Sequence, residues 1–156
     1  MAESLSLVAV PDFTAAMTSG KTFQLLGRPA KASVLFFYPK DNTPGCTTEN
    51  IAFRDAYEKF TTANVEIYGI SRDSLRSHES FKAKLELPFE LISDPDEAMC
   101  LQFNVMKMKQ MYGKTVRGVE RSTFVIDAEG RIVKEWRGVK VATHVEEVLE
   151  FVARLN

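Results

Sequence analysis

The sequence predicts an α/β fold, a central mixed sheet flanked by helices, and three observations carry that prediction. Two continuous apolar runs, "ASVLFFYP" and "VEIYGIS", read as strands buried on both faces. Between them Ile51, Ala52, Phe53, Ala56, Tyr57 and Phe60 recur at helical spacing. No repeat, linker or low-complexity tract breaks the alternation, so residues 1–156 read as one domain.

The elements follow in order. "TAAMTSGKTFQLL" reads as an N-terminal β-hairpin turning at Ser19-Gly20. "ASVLFFYP" is the first central strand, and a helix runs from about Pro44 to about Thr62. "VEIYGIS" then completes a strand–helix–strand unit, whose two strands are expected to be parallel. "SLRSHESFKAKLE" is a second helix and "PFELIS" a third strand. Asp94 is expected to cap a further helix, with Pro95 at its first position and Glu97 at its third. "NVMKMKQMYGKTVRG" reads as a solvated loop with inward methionines, or as a basic docking surface for a reductant. "RSTFVIDAEGRIVKEWRG" is a hairpin turning near Ala128–Gly130, with Trp136 as a core aromatic. Thr143 and Glu146 form a capping box, and Val145, Val148, Leu149 and Val152 stripe the closing helix.

Composition narrows the function. A 45% hydrophobic and 26% charged chain is an ordinary globular protein. The net charge of −1 argues against a nucleic-acid partner, and no apolar run is long enough for a membrane span. The N-terminus lacks a basic region before its apolar part, so a signal peptide is not expected and a cytoplasmic location is the default. Two cysteines do not make a disulfide framework, and His78 and His144 have no metal-ligand spacing to them. Neither a metal nor a cofactor is expected.

The most informative residue is Cys46 in "TPGC". Thr43 reads as the N-cap of the first helix, with Pro44 at the first position, Gly45 at the second and Cys46 at the third. That third position is where a capping box holds a carboxylate. Free N–H groups and the helix dipole favour an anion there, so a thiol at this place is drawn towards the reactive thiolate. It also follows a buried strand's carboxyl end, where open α/β sheets place their ligand sites. The alternative is a cysteine that only fills space.

"PKDNTPGC" matches the Pro-x-x-x-Thr-x-x-Cys signature of peroxiredoxins. Together with "CTTENIAFRD", "ISDP", "YGK" and "ERSTFVIDAEGRI", the chain resembles the bacterioferritin-comigratory (PrxQ-type) subfamily along most of its length. The resemblance implies a thioredoxin-like fold and a thiol peroxidase acting on hydrogen peroxide and organic hydroperoxides. Residue by residue, it implies that Cys46 attacks the peroxide and becomes a sulfenic acid. It implies that Arg121 stabilises the thiolate and the polarised peroxide, and that the Thr43 hydroxyl binds the peroxide. Pro39 would shield the sulfur, and Glu49 would position Arg121.

The chain departs from the resemblance at Ile51, where many subfamily members carry a resolving cysteine. Cys100 is the one other thiol. On its expected helix Ala98, Leu101 and Val105 share a face from which Cys100 falls away, leaving its burial ambiguous. Cys100 reads as a structural thiol, with a resolving role as the alternative. A one-cysteine cycle is therefore expected, resolved by glutathione, glutaredoxin, thioredoxin or a similar thiol. The alternatives are a two-cysteine cycle through Cys100, a redox sensor or relay, and a binding module without chemistry. The resemblance implies a monomer, with a dimer left open.

Overall fold

A computed structural model describes residues 8–155; the first seven, on which the reading of the N-terminus rested, lie outside the described residues. The described residues open with β1 (Val8–Ala9) and the hairpin β2 (Thr14–Met17) and β3 (Lys21–Gln24). Then come β4 (Ala32–Phe37), α1 (Pro44–Asp55), α2 (Tyr57–Thr62) and β5 (Val65–Ser71). Next are α3 (Leu75–Leu85), β6 (Glu90–Ser93) and α4 (Ala98–Gln102). The chain continues with β7 (Met106–Met111), β8 (Lys114–Val119), β9 (Ser122–Asp127), β10 (Arg131–Arg137) and α5 (His144–Ala153).

Among the described residues, eight strands form one mixed sheet in the order β1-β10-β9-β4-β5-β6-β2-β3. The pairs β4–β5 and β5–β6 are parallel, as the crossover reading requires, and β9 runs antiparallel to β4. The expected N-terminal hairpin is present, with Ser19 and Gly20 at positive φ in its turn. All six β4 side chains are buried, because both edges are paired and both faces are covered.

Alternation along β4 divides the interior into two cores. Val34 and Phe36 face the core built with α1, α2, α3 and α5, while Leu35 and Phe37 face the core that contains α4. Among the described residues, four helices thus cover one face and the five-residue α4 lies on the other. Phe36 stacks on Phe53 with ring centroids 4.4 Å apart, which seats α1 on the sheet. Burying two such rings contributes about 2–3 kcal/mol each.

Several expectations need correction. The helix from Pro44 to Thr62 is two helices, because Ala56 leaves helical geometry at φ −97, ψ 2. Asp94 does not place Pro95 and Glu97 in a first turn: α4 begins at Ala98, and Glu97 before it sits at φ 65. The Asp94 carboxylate still caps, accepting from the N–H groups of Met99 (3.1 Å) and Cys100 (2.8 Å). On α4 the inward side is Met99 and Cys100, so the thiol whose burial was ambiguous is buried, whereas Leu101 is 58% exposed. Thr143 precedes α5 but makes no side-chain cap, because its φ of 63 turns it away from capping geometry. The methionine- and lysine-rich stretch is no loop; it is a two-stranded hairpin, β7–β8, whose turn at Tyr112 and Gly113 takes positive φ.

Candidate active site

The loop from Pro39 to Thr43 carries the chain from β4 to α1. Antiparallel pairing sets Ser122 opposite Phe37, so Arg121 arrives beside the end of β4 despite its distance in sequence. Register, and no local signal, brings Arg121 to the first turn of α1.

At that turn Thr43 occupies the N-cap with extended backbone, φ −96 and ψ 153. Its hydroxyl does not cap the helix as expected. It donates to the Lys40 carbonyl at 2.7 Å, tying the loop to the helix start. The oxygen's lone pairs stay free to accept from a peroxide O–H. Pro39 is half-buried at the head of the same loop.

Cys46 is 1% exposed. One guanidinium spans the cluster: Arg121 Nη2 donates to Cys46 Sγ at 3.6 Å, and Nη1 donates to Glu49 Oε1 at 2.7 Å. Burial works against the Arg121 charge, but Glu49 and Cys46 outweigh it and raise the pKa of the guanidinium further. Burial lifts the Glu49 carboxyl to about 7, against the opposing pull of Arg121. Its second oxygen, Oε2, is buried without a hydrogen-bond partner.

Sequence reasoning missed several neighbours. Gly45 leaves room for the Arg121 guanidinium, which lies where a side chain would crowd it. Asn50 donates from Nδ2 to the Cys46 carbonyl at 2.9 Å, an i to i+4 pair visible in the sequence to a reader looking for it. His144 sits 2.8 Å from Thr123 Oγ1 with its ring edge-on to Trp136. Burial, and then the Arg121 charge, lower its pKa to about 4, so it is neutral at neutral pH. The Lys109 ammonium on β7 donates to the Val119 carbonyl, and burial, then Arg121, lower its pKa.

Beneath the loop is a buried polar network. Tyr38 donates to Asp41 Oδ1 at 2.6 Å, and Ser77 donates to Oδ2 at 2.9 Å. His78 Nδ1 lies 2.7 Å from Asp41 Oδ2, and the Asp41 N–H donates to Asp73 Oδ2 at 2.9 Å. Tyr38 just past β4, Asp73 just past β5, and Ser77 and His78 of α3 thus hold the loop from below.

The structure therefore gathers Cys46, Thr43, Glu49 and Arg121 at one helix start, with Pro39 on the adjoining loop. It does not bring Cys100 to them. Cys46 belongs to the core under α1, and Cys100 is fully buried in the core across the sheet. Burial, and then the Asp94 carboxylate, push the Cys100 thiol well above its ordinary range.

Known proteins resemble this chain in sequence and in fold. The AhpC/TSA family model matches residues 8–135. Peroxiredoxin Bcp of Bacillus subtilis is 48% identical over 90% of this chain and 89% of its own. Peroxiredoxin Bcp of Xanthomonas campestris is 47% identical over 88% and 86%. A solved structure of Xanthomonas campestris peroxiredoxin Q superposes with a TM-score of 0.83 at 44% identity, covering 90% of this chain and 89% of that one. Another Xanthomonas structure, of a trapped intermediate/ligand complex of its bacterioferritin comigratory protein, was described for alkyl peroxide reduction and gives 0.83 at 43% identity, covering 90% and 89%. With a signature, a sheet and a set of relatives that agree over most of its length, the chain belongs to the AhpC/TSA family, as a thioredoxin-fold peroxiredoxin of the PrxQ or bacterioferritin-comigratory type, a thiol peroxidase.

Proposed function

We propose that the chain reduces hydrogen peroxide and alkyl hydroperoxides at Cys46 in a one-cysteine cycle completed by an external thiol. The observation that carries the reading is the single guanidinium of Arg121 held by Glu49 against the Cys46 sulfur. The Cys46 thiolate attacks one peroxide oxygen in line with the O–O bond. That bond breaks, sulfur is oxidised to a sulfenic acid, and the departing oxygen takes a proton to leave as water or an alcohol. Charge grows on that oxygen in the transition state, where Arg121 donors fixed beforehand count most. Thr43 accepts from the peroxide O–H, Glu49 aims Arg121, and Pro39 closes the sulfur from solvent. The Xanthomonas relative's alkyl peroxide reduction supports organic hydroperoxides as substrates here.

The separation of the two thiols supports external resolution. A disulfide needs Cα atoms within about 7 Å, whereas Cys46 and Cys100 lie in cores divided by the sheet. An incoming thiol attacks the sulfenic sulfur and expels water, leaving a mixed disulfide that a second thiol reduces. Glutathione, glutaredoxin or a thioredoxin-like protein fits that role.

The test is one equivalent of hydrogen peroxide on reduced protein, followed by intact mass under denaturing, thiol-trapping conditions. Cys46→Ser and Cys100→Ser run alongside. The expected result is a sulfenic-acid adduct that needs Cys46 and persists with Cys100 present. Loss of two hydrogens requiring both thiols would overturn the one-cysteine cycle, and no adduct at all would overturn the peroxidase reading.

A further inference from the structure

Arg121 offers one positive charge to two groups that can each be anionic. Its Nη2 faces Cys46 Sγ at 3.6 Å and its Nη1 faces Glu49 Oε1 at 2.7 Å. Glu49 is 0% exposed, and its Oε2 is buried with no partner. A carboxylate with one oxygen bare in the protein interior costs far more than the neutral carboxylic acid does there.

Among the described residues, the surrounding charges give no second hydrogen-bonded cation for this acid. On α1, Cys46 and Asn50 flank it; Asn50 spends its amide N–H on the Cys46 carbonyl and leaves Oδ1 without a partner. From α5, His144 is neutral at neutral pH. From β7, the Lys109 ammonium turns to the Val119 carbonyl, and Glu120 beside Arg121 adds negative charge. Among the described residues, Arg121 is the cation hydrogen-bonded to Glu49.

We propose that Glu49 is the proton partner of Cys46: it holds a proton while Cys46 is a thiolate and releases it when Cys46 becomes a sulfenic acid. This rests on the peroxidase reading above. While Cys46 is a thiolate its charge balances Arg121, and Glu49 stays a neutral acid. Attack on the peroxide forms the S–O bond and breaks the O–O bond. The thiolate charge disappears into neutral Cys46–S–O–H and reappears on the departing oxygen. Arg121 then has Glu49 as its one anionic partner, so Glu49 ionises. The proton it gives up balances the one that converts the departing oxide to water or alcohol. The cluster has the same net charge before and after, and the oxidation draws no net proton from solvent. Ionised Glu49 holds Arg121 more firmly in the oxidised protein. Glu49 is in this sense a positioning residue whose grip depends on the state of the sulfur.

The experiment is an infrared difference spectrum at neutral pH, oxidised minus reduced, on the full chain given one equivalent of hydrogen peroxide. Intact mass on the same sample counts the sulfenic acid, and a pH indicator in weak buffer counts protons. The expected result is loss of a protonated-carboxyl C=O band on oxidation, with carboxylate bands gained. Carbon-13 glutamate shifts the lost band, and Glu49→Gln abolishes it. Proton uptake per sulfenic acid, normalised to the thiolate absorbance at the start, is near zero in the native chain and about one in Glu49→Gln. Sulfenic acid formed without carboxyl loss, or with full proton uptake in the native chain, would overturn the proton partnership and leave the peroxidase standing. Failure to form sulfenic acid would instead remove the peroxidase reading. The labelled native chain decides the matter even where Glu49→Gln folds poorly.

Discussion

The Arg121 guanidinium rests against Gly45: a Cβ placed on that glycine would stand 3.1 Å from Nη2. The glycine keeps the first turn of α1 low enough for the arginine to reach over it to the sulfur. Gly45→Ala makes the guanidinium shift by a few tenths of an ångström, while alanine suits a helix better by up to about 1 kcal/mol. The expected outcome is a peroxide reaction slowed about tenfold with unchanged or raised Tm, since small misplacements near a reacting group cost rate. Stopped-flow fluorescence of Trp136, the chain's one tryptophan, reads the rate. A full-speed Gly45→Ala would show that the close approach has no role.

Replacing Arg121 by lysine keeps the charge and loses the fork. A lysine has one ammonium to share between Cys46 and Glu49, where the guanidinium reaches each through a separate nitrogen. Arg121→Lys is expected to lower the second-order rate with peroxide by about 100-fold to 1000-fold, the usual loss for one preorganised donor. A loss under threefold, measured by competition for limiting peroxide, would contradict that assignment.

Cys100→Ser tests the distal thiol. In the one-cysteine reading this variant turns over peroxide with an external dithiol at the native rate. It puts a hydroxyl into an apolar core, so stability should fall by about 1–3 kcal/mol. Chemical denaturation and steady-state turnover measured together separate the two effects. Lost turnover with unchanged stability would move Cys100 into the cycle.

Two buried groups titrate in opposite senses. Glu49 holds its proton more tightly folded than unfolded, at about 7 against an ordinary 4.5. Its contribution to stability is complete below about 4.5 and is lost as pH rises through about 7, amounting to about 3 kcal/mol. His144 holds its proton less tightly, at about 4 against 6.5. Its contribution is present above 6.5 and is lost as pH falls through about 4. Native stability should therefore vary little between these limits. Glu49→Gln should leave stability rising with pH there, and His144→Phe should leave it falling. Denaturation midpoints across that range decide the point, and parallel curves for native and Glu49→Gln would refute it.

The sheet was legible because its central strands are buried on both faces and so read as continuous apolar runs, as in β4 and β5. Cys46 was legible because Thr43, Pro44 and Gly45 mark a helix start on their own. What escaped depends on partners far along the chain. Asp41 and His78 form a buried pair that no local pattern announces. Asp94 caps α4 from four residues before its first helical residue, reaching over a left-handed Glu97 that sequence rules cannot place. The β7–β8 hairpin did carry a signal, the alternation Met106-Lys107-Met108-Lys109 before Tyr112-Gly113. By composition its lysines and methionines point to a solvated loop; by period they point to a strand.

A sulfur that is 1% exposed meets its two reactants on unequal terms. Hydrogen peroxide is little larger than water and needs only a crevice. A protein thiol brings a backbone with it and cannot enter a crevice that narrow. In the one-cysteine reading, a protein thiol is expected to reach this sulfur only when the first turn of α1 opens locally. On that reading the chain would act as a size-sorting turnstile, open to small oxidants when reduced and admitting a protein reductant at a frequency of its own when oxidised. At high reductant concentration turnover should level off at that opening frequency, the same ceiling for every thiol supplied.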